Sequence, residues 1–481
     1  MNKNNNLSTE REKVPLKNRI LFATSAFPDQ LTYQAFTIYI FTFYFAIVGL
    51  TAFEMWLAYV LWGAWNMLSN PLLGALSEKT KQKGRLGKRR FYLIIAFIPL
   101  ALIMILMFTT PSNFKFWYFL FIIFAFEGFY AMFDVNTNAI FPEMFPTEKK
   151  RGDVNVFIKI FTLIAVILAT IIPTMVMSFG SVVPTIAEGK PGYAAQLAGL
   201  HFKYILSGSI MAIIIAAMAI VFIFFGINEK EENINDFEKR PGFFESLKIS
   251  FSNKTFLKFV FGNMGLWYCF NLLLTVFPLY SVYVLGRKSG AIFIGLTLMV
   301  ALLAAAAFMP LQSYIRKKIG TRKGIILACG IWILTLFPLV LLSNNGISRE
   351  LSFIIFATIG FGLSGALFFV DLIIGDVIDE DAIKFGVKRA ASYYGVNGFI
   401  NRFSVILSIT TIFSMFEGTG WSSYTPIPTN PFLIQLGLKL LIFLFPAIAL
   451  ICSILFFKFF GLHGKRLEKM RAELQKHPEL A

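Results

Sequence analysis

Apolar runs of membrane-crossing length, separated by short charged breaks, repeat from one end of the chain to the other. They fall near 20–49, 53–77, 91–110, 116–140, 154–179, 202–226, 255–285, 289–313, 324–343, 351–377, 391–416 and 431–461. A helix needs roughly 20 apolar residues to cross a bilayer, so each run is long enough for one span. The pattern predicts an all-α membrane protein with twelve transmembrane helices. The charged stretch NEKEENINDFEKRP, Asn228 to Pro241, divides six runs from six and has the mixed-sign composition of a surface linker. The chain therefore reads as a tail and six-helix half over 1–227, a linker over 228–254, and a second half with its tail over 255–481. Two short basic loops, Gly74 to Arg90 and Ile315 to Gly324, sit at matching places in the halves, and each couples Gly with Lys or Arg.

Composition agrees: 57% of the 481 residues are hydrophobic and 15% charged, with a mean hydropathy of +0.68. Short loops leave no room for a large extramembrane catalytic domain, so an enzyme is not expected. A net charge of +17 would raise the question of nucleic acid in a soluble protein. Here 33 of the 44 Lys and Arg lie in the tails and in the loops on one side of the spans. That bias places both termini in the cytoplasm of a cell-membrane protein and leaves no nucleic-acid partner to invoke. The first nineteen residues are polar and basic, so no cleavable signal peptide is read and the first span inserts the chain. Cys269, Cys329 and Cys452 lie within apolar runs and His201, His463 and His477 outside them, which offers neither a disulfide framework nor a metal site. No phosphate-loop or dinucleotide motif occurs and no cofactor is implied. The 56 Phe, 16 Tyr and 7 Trp read mostly as lipid-facing bulk and interface belt.

Ionisable groups inside the spans carry the chemistry, since each costs on the order of 2.5–3.5 kcal/mol at mid-membrane even on the lenient insertion scale. Span 1 has Asp29 after Pro28. Span 4 has Glu127 and Asp134 seven residues apart, with Tyr130 and Asn138 a turn either side of Asp134. Span 5 has Lys159, and span 11 has Arg402 with Asn397 and Asn401 nearby. Carboxylates accept paired hydrogen bonds from vicinal hydroxyls, and cations hold those carboxylates ionised. That chemistry suits a sugar held between two halves, as in many secondary transporters. The competing structural reading is an Asp134–Lys159 ion pair that only fixes packing. Glu127 reads equally as a site residue or as a group reaching the interface. In span 2, WNMLSNPLLG (Trp65 to Gly74) puts Asn66 and Asn70 on one face with Pro71 behind them. Their oxygens and freed carbonyls offer a weak cation site without a carboxylate, or an ordinary kinked helix.

These residues resemble the glycoside-pentoside-hexuronide:cation symporter family, of melibiose permease type, within the major facilitator superfamily. The resemblance rests on the aromatic run Tyr39 to Leu50, the span 2 pattern Trp65, Asn66, Asn70, Pro71 and Gly74, and YAMFDVNTNAIFPEM from Tyr130. Lys159, the segment Gly375 to Gly395 and Arg402 complete it. It implies the major facilitator fold and a sugar-like small-molecule substrate held by Asp29, Tyr130, Asp134 and Lys159, faced by Asn397 and Arg402; Asn138, on the same face as Asp134, is added to the site from its spacing, and a monomer is expected. Gln30 rivals Asp29 for the span 1 position, and Arg151 would belong to a cytoplasmic gate. Both family acids of span 2 are replaced by Asn66 and Asn70, so sodium coupling through that site is not expected. A proton co-substrate carried by Asp29, Glu127 or Asp134, or uniport, stays open. The runner-up is a transporter of lipid or another small organic solute on the same fold.

Overall fold

The structure, a computed structural model, describes residues 14–79, 87–145, 148–177, 180–228, 251–286, 291–386 and 390–474. Among these residues every regular element is helical. The first half comprises α1 (Leu16–Val48), α2 (Ala52–Lys79), α3 (Lys88–Leu106), α4 (Lys115–Met144), α5 (Glu148–Met177) and α6 (Tyr193–Gly226). The second comprises α7 (Lys254–Tyr283), α8 (Ala291–Ile319), α9 (Thr321–Leu341), α10 (Gly346–Phe385), α11 (Ala390–Gly418) and α12 (Pro431–Lys458). A short helix, α13 (Lys465–Leu474), follows. Eleven of the twelve long helices are apolar enough to span a membrane on composition. The twelfth, α2, has the length, and Asn66, Ser69 and Asn70 dilute its hydropathy. Twelve long helices, six on either side of residues 229–250, match the twelve apolar runs. Linker residues 229–250 lie outside the described residues.

The halves meet where α1 packs on α7, α2 on α11 and α5 on α8. These seams are close because glycine allows it. A Cβ on Gly63 would stand 2.5 Å from Ile406 Cγ1, and one on Gly295 would stand 2.8 Å from the Thr170 carbonyl oxygen. At the end of the bundle remote from the termini, the Ala52 amide donates to Ser422 O (2.7 Å), Trp56 Nε1 to Thr410 Oγ1 (3.1 Å) and the Tyr424 hydroxyl to Pro184 O (2.6 Å). Phe45, Phe416 and Trp421 interlock there, with ring centroids 4.9–5.5 Å apart. The halves are shut at that end.

Two features depart from the reading of the sequence. Part of the aromatic content is internal: Phe36, Phe41, Phe43, Phe45, Phe119, Phe126 and Phe133 are all within 2% of full burial, while Phe53, Phe121, Phe225 and Phe432 are exposed. Edge-to-face and stacked rings let bulky side chains fill the seams between helices, a gain that packing against lipid tails does not give. The tenth helix continues past its apolar run, which ends near residue 377, as far as Phe385. Its Asp376 and Glu380 are held by Arg471 and Arg466 of α13, Asp376 at 2.9 Å, so the acids find partners while the helix continues.

Candidate functional site

α1 is broken in its first third. Pro28 has no amide hydrogen to give, and Phe27–Leu31 winds as a π-helical turn. The turn presents Asp29 and Gln30 at the centre of the bundle, with Tyr33 four residues on. Asp29 Oδ1 accepts from the Tyr130 hydroxyl at 2.7 Å, and Oδ2 accepts from Gln30 Nε2 at 2.9 Å. The amide holds the carboxylate that the phenol also holds.

Tyr130 is fixed by a ladder of rings. Phe36 stacks on Phe126 at 4.3 Å, Phe126 lies parallel to Tyr130 at 5.7 Å, and Tyr33 leans on Tyr130 at 5.2 Å. The second half closes the ring through Arg402, whose Nη1 donates to the Tyr33 hydroxyl at 3.0 Å and whose guanidinium lies 5.8 Å from the Tyr33 ring centre. The structure thus brings Asp29, Tyr130 and Arg402 together. Charges on Lys159 and Arg402 both act on Asp29. On one face of α4, exposure rises from Tyr130 (7%) through half-buried Asp134 to exposed Asn138, so the polar surface widens toward the termini.

Asp134 and Lys159 do not form the ion pair that a packing role would require. Asp134 Oδ1 accepts from Asn138 Nδ2 at 2.8 Å, one helical turn along, and Lys159 is exposed. Asn397 turns toward its own half, where its Oδ1 accepts from Asn263 Nδ2 at 2.9 Å. Arg151, at the terminus-side end of α5, is exposed and donates Nε to Phe145 O at 2.8 Å. The side chain of Asn70 lies outside the described residues.

Asn66 has a partner the sequence did not assign. Its Nδ2 donates to Glu127 Oε2 at 2.6 Å, and Ser69 Oγ donates to Glu127 Oε1 at 3.2 Å. Glu127 and Ser69 are fully buried and Asn66 is 1% exposed. Span 2 itself offers neutral oxygens there, and the carboxylate beside them comes from α4. Tyr33, Ser69 and Asn263 were also missed. For the first two the signal was helical spacing, four residues after Asp29 and three after Asn66; Asn263 lies on another helix and carries no such signal.

A family model described as MFS/sugar transport protein matches residues 21–464. "Sodium-dependent lysophosphatidylcholine symporter 1" of Xenopus tropicalis is 20% identical, over 97% of this chain and 91% of its own. The protein named "Putative sulfoquinovose importer" in Escherichia coli (strain K12) is 22% identical, over 98% and 96%. Among solved structures, the nucleoside transporter NupG superposes with a TM-score of 0.63 at 13% identity, covering 93% of this chain and all of that one. That last likeness is one of fold.

Proposed function

Given that this chain belongs to the MFS/sugar transport protein family and is a small-solute transporter, we propose that its cargo is a sugar or glycoside moved by alternating access. The observation that carries this reading is the join across the halves, Asp29–Tyr130 in the first and Arg402 reaching Tyr33 from the second. A carboxylate oriented by a phenol and an amide, beside a guanidinium fork and stacked rings, meets hydroxyls edge-on and the apolar face of a sugar ring from the side. Asp29 and Tyr130 would bind hydroxyls directly. Asp134 and Asn138 form the wall of the approach from the termini, Lys159 sets the local potential, Arg402 is the second half's contact, and Asn397 braces α11. Arg151 would gate the same entrance.

The basic bias supports cytoplasmic termini and a cell-membrane location, with a cytoplasmic linker over 228–254 between the halves 1–227 and 255–481. The chain would work as a monomer surrounded by membrane lipid. Counterflow with labelled sugars in proteoliposomes tests the assignment, and Asp29→Asn should abolish exchange of whichever sugar is carried.

One observation favours a second cargo. Beside Gln34 the seam between the halves holds a cavity lined by apolar groups, among them Ile38, Leu298 and Trp332. With a relative named as a lysophosphatidylcholine symporter, that lining suits a single-chain lipid. The same counterflow panel decides between them.

A further inference from the structure

The matching basic loops of the two halves put their cations to different uses. In the first half Arg89 is buried and Arg90 donates Nη2 to Ile227 O at 2.7 Å, so both are engaged within the protein. In the second half the chain passes from α8 to α9 through Gly320 alone, and residues 316–323 hold five basic residues and no acid. A second basic run, Lys458, Lys465 and Arg466 with His463 among them, crosses from α12 to α13. The fold joins the two runs. α9 packs on α12, and Arg322 donates Nη1 to the carbonyl oxygens of Lys458 and Phe460 at 3.2 and 3.4 Å.

Some of these cations already have partners. Arg466 is paired with Glu380, Lys318 lies 4.8 Å from the centre of the Tyr314 ring, and Arg316 acts on Asp376. Lys323 is exposed with no bonded partner among the described residues, and there Arg322 keeps Nε and Nη2 free to donate. His463 is exposed beside them. Partial burial, and then the charges of Arg322, Arg466 and Lys323, hold its imidazole below the usual range, and the charges that act on it are all positive. Apolar surface continues from this cluster along the spans. On α9, Lys323, Leu327 and Leu334 share one face and all three are exposed. At the neighbouring end of α12, Leu455 and Phe459 are exposed as well.

We infer that this junction of α9, α12 and α13 binds the headgroup of an anionic phospholipid in the leaflet on the side of the termini. Arg322 and Lys323 hold the phosphate, one as a planar fork and the other as a point charge, with His463 at its edge. The acyl chains lie along Leu327 and Leu334 of α9 and along Leu455 and Phe459 at the end of α12. Basic pockets between spanning helices take lipid headgroups in this way. A free phosphate needs only the charges, whereas the apolar face that begins one turn along from Lys323 suits a lipid. A zwitterionic headgroup brings its own cation into a field that is already positive, so the headgroup is one without a cation, of phosphatidylglycerol type. Once bound, the lipid ties α9, α12 and α13 together at the membrane surface. The site lies wholly within the second half and does not depend on what the transporter carries.

The test is native mass spectrometry of the full chain, purified in detergent and titrated with dioleoyl phosphatidylglycerol or dioleoyl phosphatidylcholine. The first phosphatidylglycerol should bind about tenfold or more tightly than phosphatidylcholine. A basic side chain near a lipid phosphate is worth about fivefold in binding, so Arg322→Gln with Lys323→Gln should weaken that first lipid about 25-fold, and His463→Lys should tighten it about fivefold. Lys17→Gln with Lys254→Gln removes the same charge from exposed positions at the same end of the bundle and should leave it unchanged. The unmodified chain and the gain in His463→Lys decide the matter even where the double variant misfolds. Equal binding of the two lipids overturns the proposal, as does a His463→Lys protein with no gain. An equal loss in the Lys17 and Lys254 variant overturns the location and leaves only a diffuse basic surface. Displacement of the lipid by millimolar inorganic phosphate overturns the choice of ligand in favour of a soluble phosphate ester.

Discussion

Replacing Gly295 by Val should hold the two halves apart at the end remote from the termini. In the closed state a Cβ at this position meets Thr174 Oγ1 at 2.5 Å, the Thr170 carbonyl oxygen at 2.8 Å and Thr174 Cγ2 at 2.9 Å. Thr174 can turn about χ1, but Thr170 O is backbone and is anchored by the Tyr39 hydroxyl at 2.9 Å. The clash is therefore relieved by separating α8 from α5. Overpacking of this kind costs about 1–3 kcal/mol, and it is incurred only when the halves are shut. The balance between shut and open should move by a factor of about 5 to 150. A Thr37→Cys reporter, placed in the small cavity lined by Tyr33, Trp62, Asn271 and Ser408, reads that balance. Cys269 and Cys329 are buried, so replacing exposed Cys452 removes the competing thiol. A membrane-impermeant maleimide on intact cells should label the reporter faster by a similar factor in Gly295→Val, with transport correspondingly slowed. Gly295→Ala should lie between. Unchanged labelling and unchanged transport in a well-folded Gly295→Val protein would refute the claim that this seam closes the bundle.

Three further outcomes follow from the same geometry. Tyr130→Phe keeps the ring ladder and deletes the 2.7 Å bond to Asp29; a hydrogen bond to a charged group is worth about 1.5–3 kcal/mol, so cargo affinity should fall about 10- to 150-fold in a binding titration while expression is maintained. Arg402→Lys retains charge and loses the planar fork that meets Tyr33, and it should impair exchange more than a charge argument predicts, measured as initial counterflow rate. Single cysteines at residues 188–192 should react with impermeant reagent on intact cells, whereas cysteines at 229–240 should react only after permeabilisation; the opposite result would invert the topology.

The fold was legible because hydropathy and charge bias are bulk signals that single residues do not disturb. Span 2 shows the limit: its helix forms as expected although Asn66, Ser69 and Asn70 thin its apolar content. The site was legible in part. Asp29, Tyr130 and Arg402 stood out as polar groups in apolar runs, and the structure brings them together. The competing reading, an Asp134–Lys159 ion pair, is not met, because adjacency of helices does not fix which way a long side chain points, and Asn138 one turn away satisfies Asp134 locally. Glu127 was left undecided for a related reason. Its role depends on which face of α4 meets α2, a rotation that the sequence of α4 leaves open since that helix is apolar nearly all round. The inward turn of so many Phe residues escaped for the same cause.

Counterflow in proteoliposomes tests the central claim most directly. Vesicles holding the purified chain are preloaded with an unlabelled glycoside, sugar acid or lysophospholipid and diluted into a trace of the same compound in labelled form. The account predicts transient uptake above equilibrium for a member of the sugar group, abolished by Asp29→Asn and sharply reduced by Tyr130→Phe. Uptake confined to the lysophospholipid, or uptake of a sugar that Asp29→Asn leaves unchanged, would contradict it.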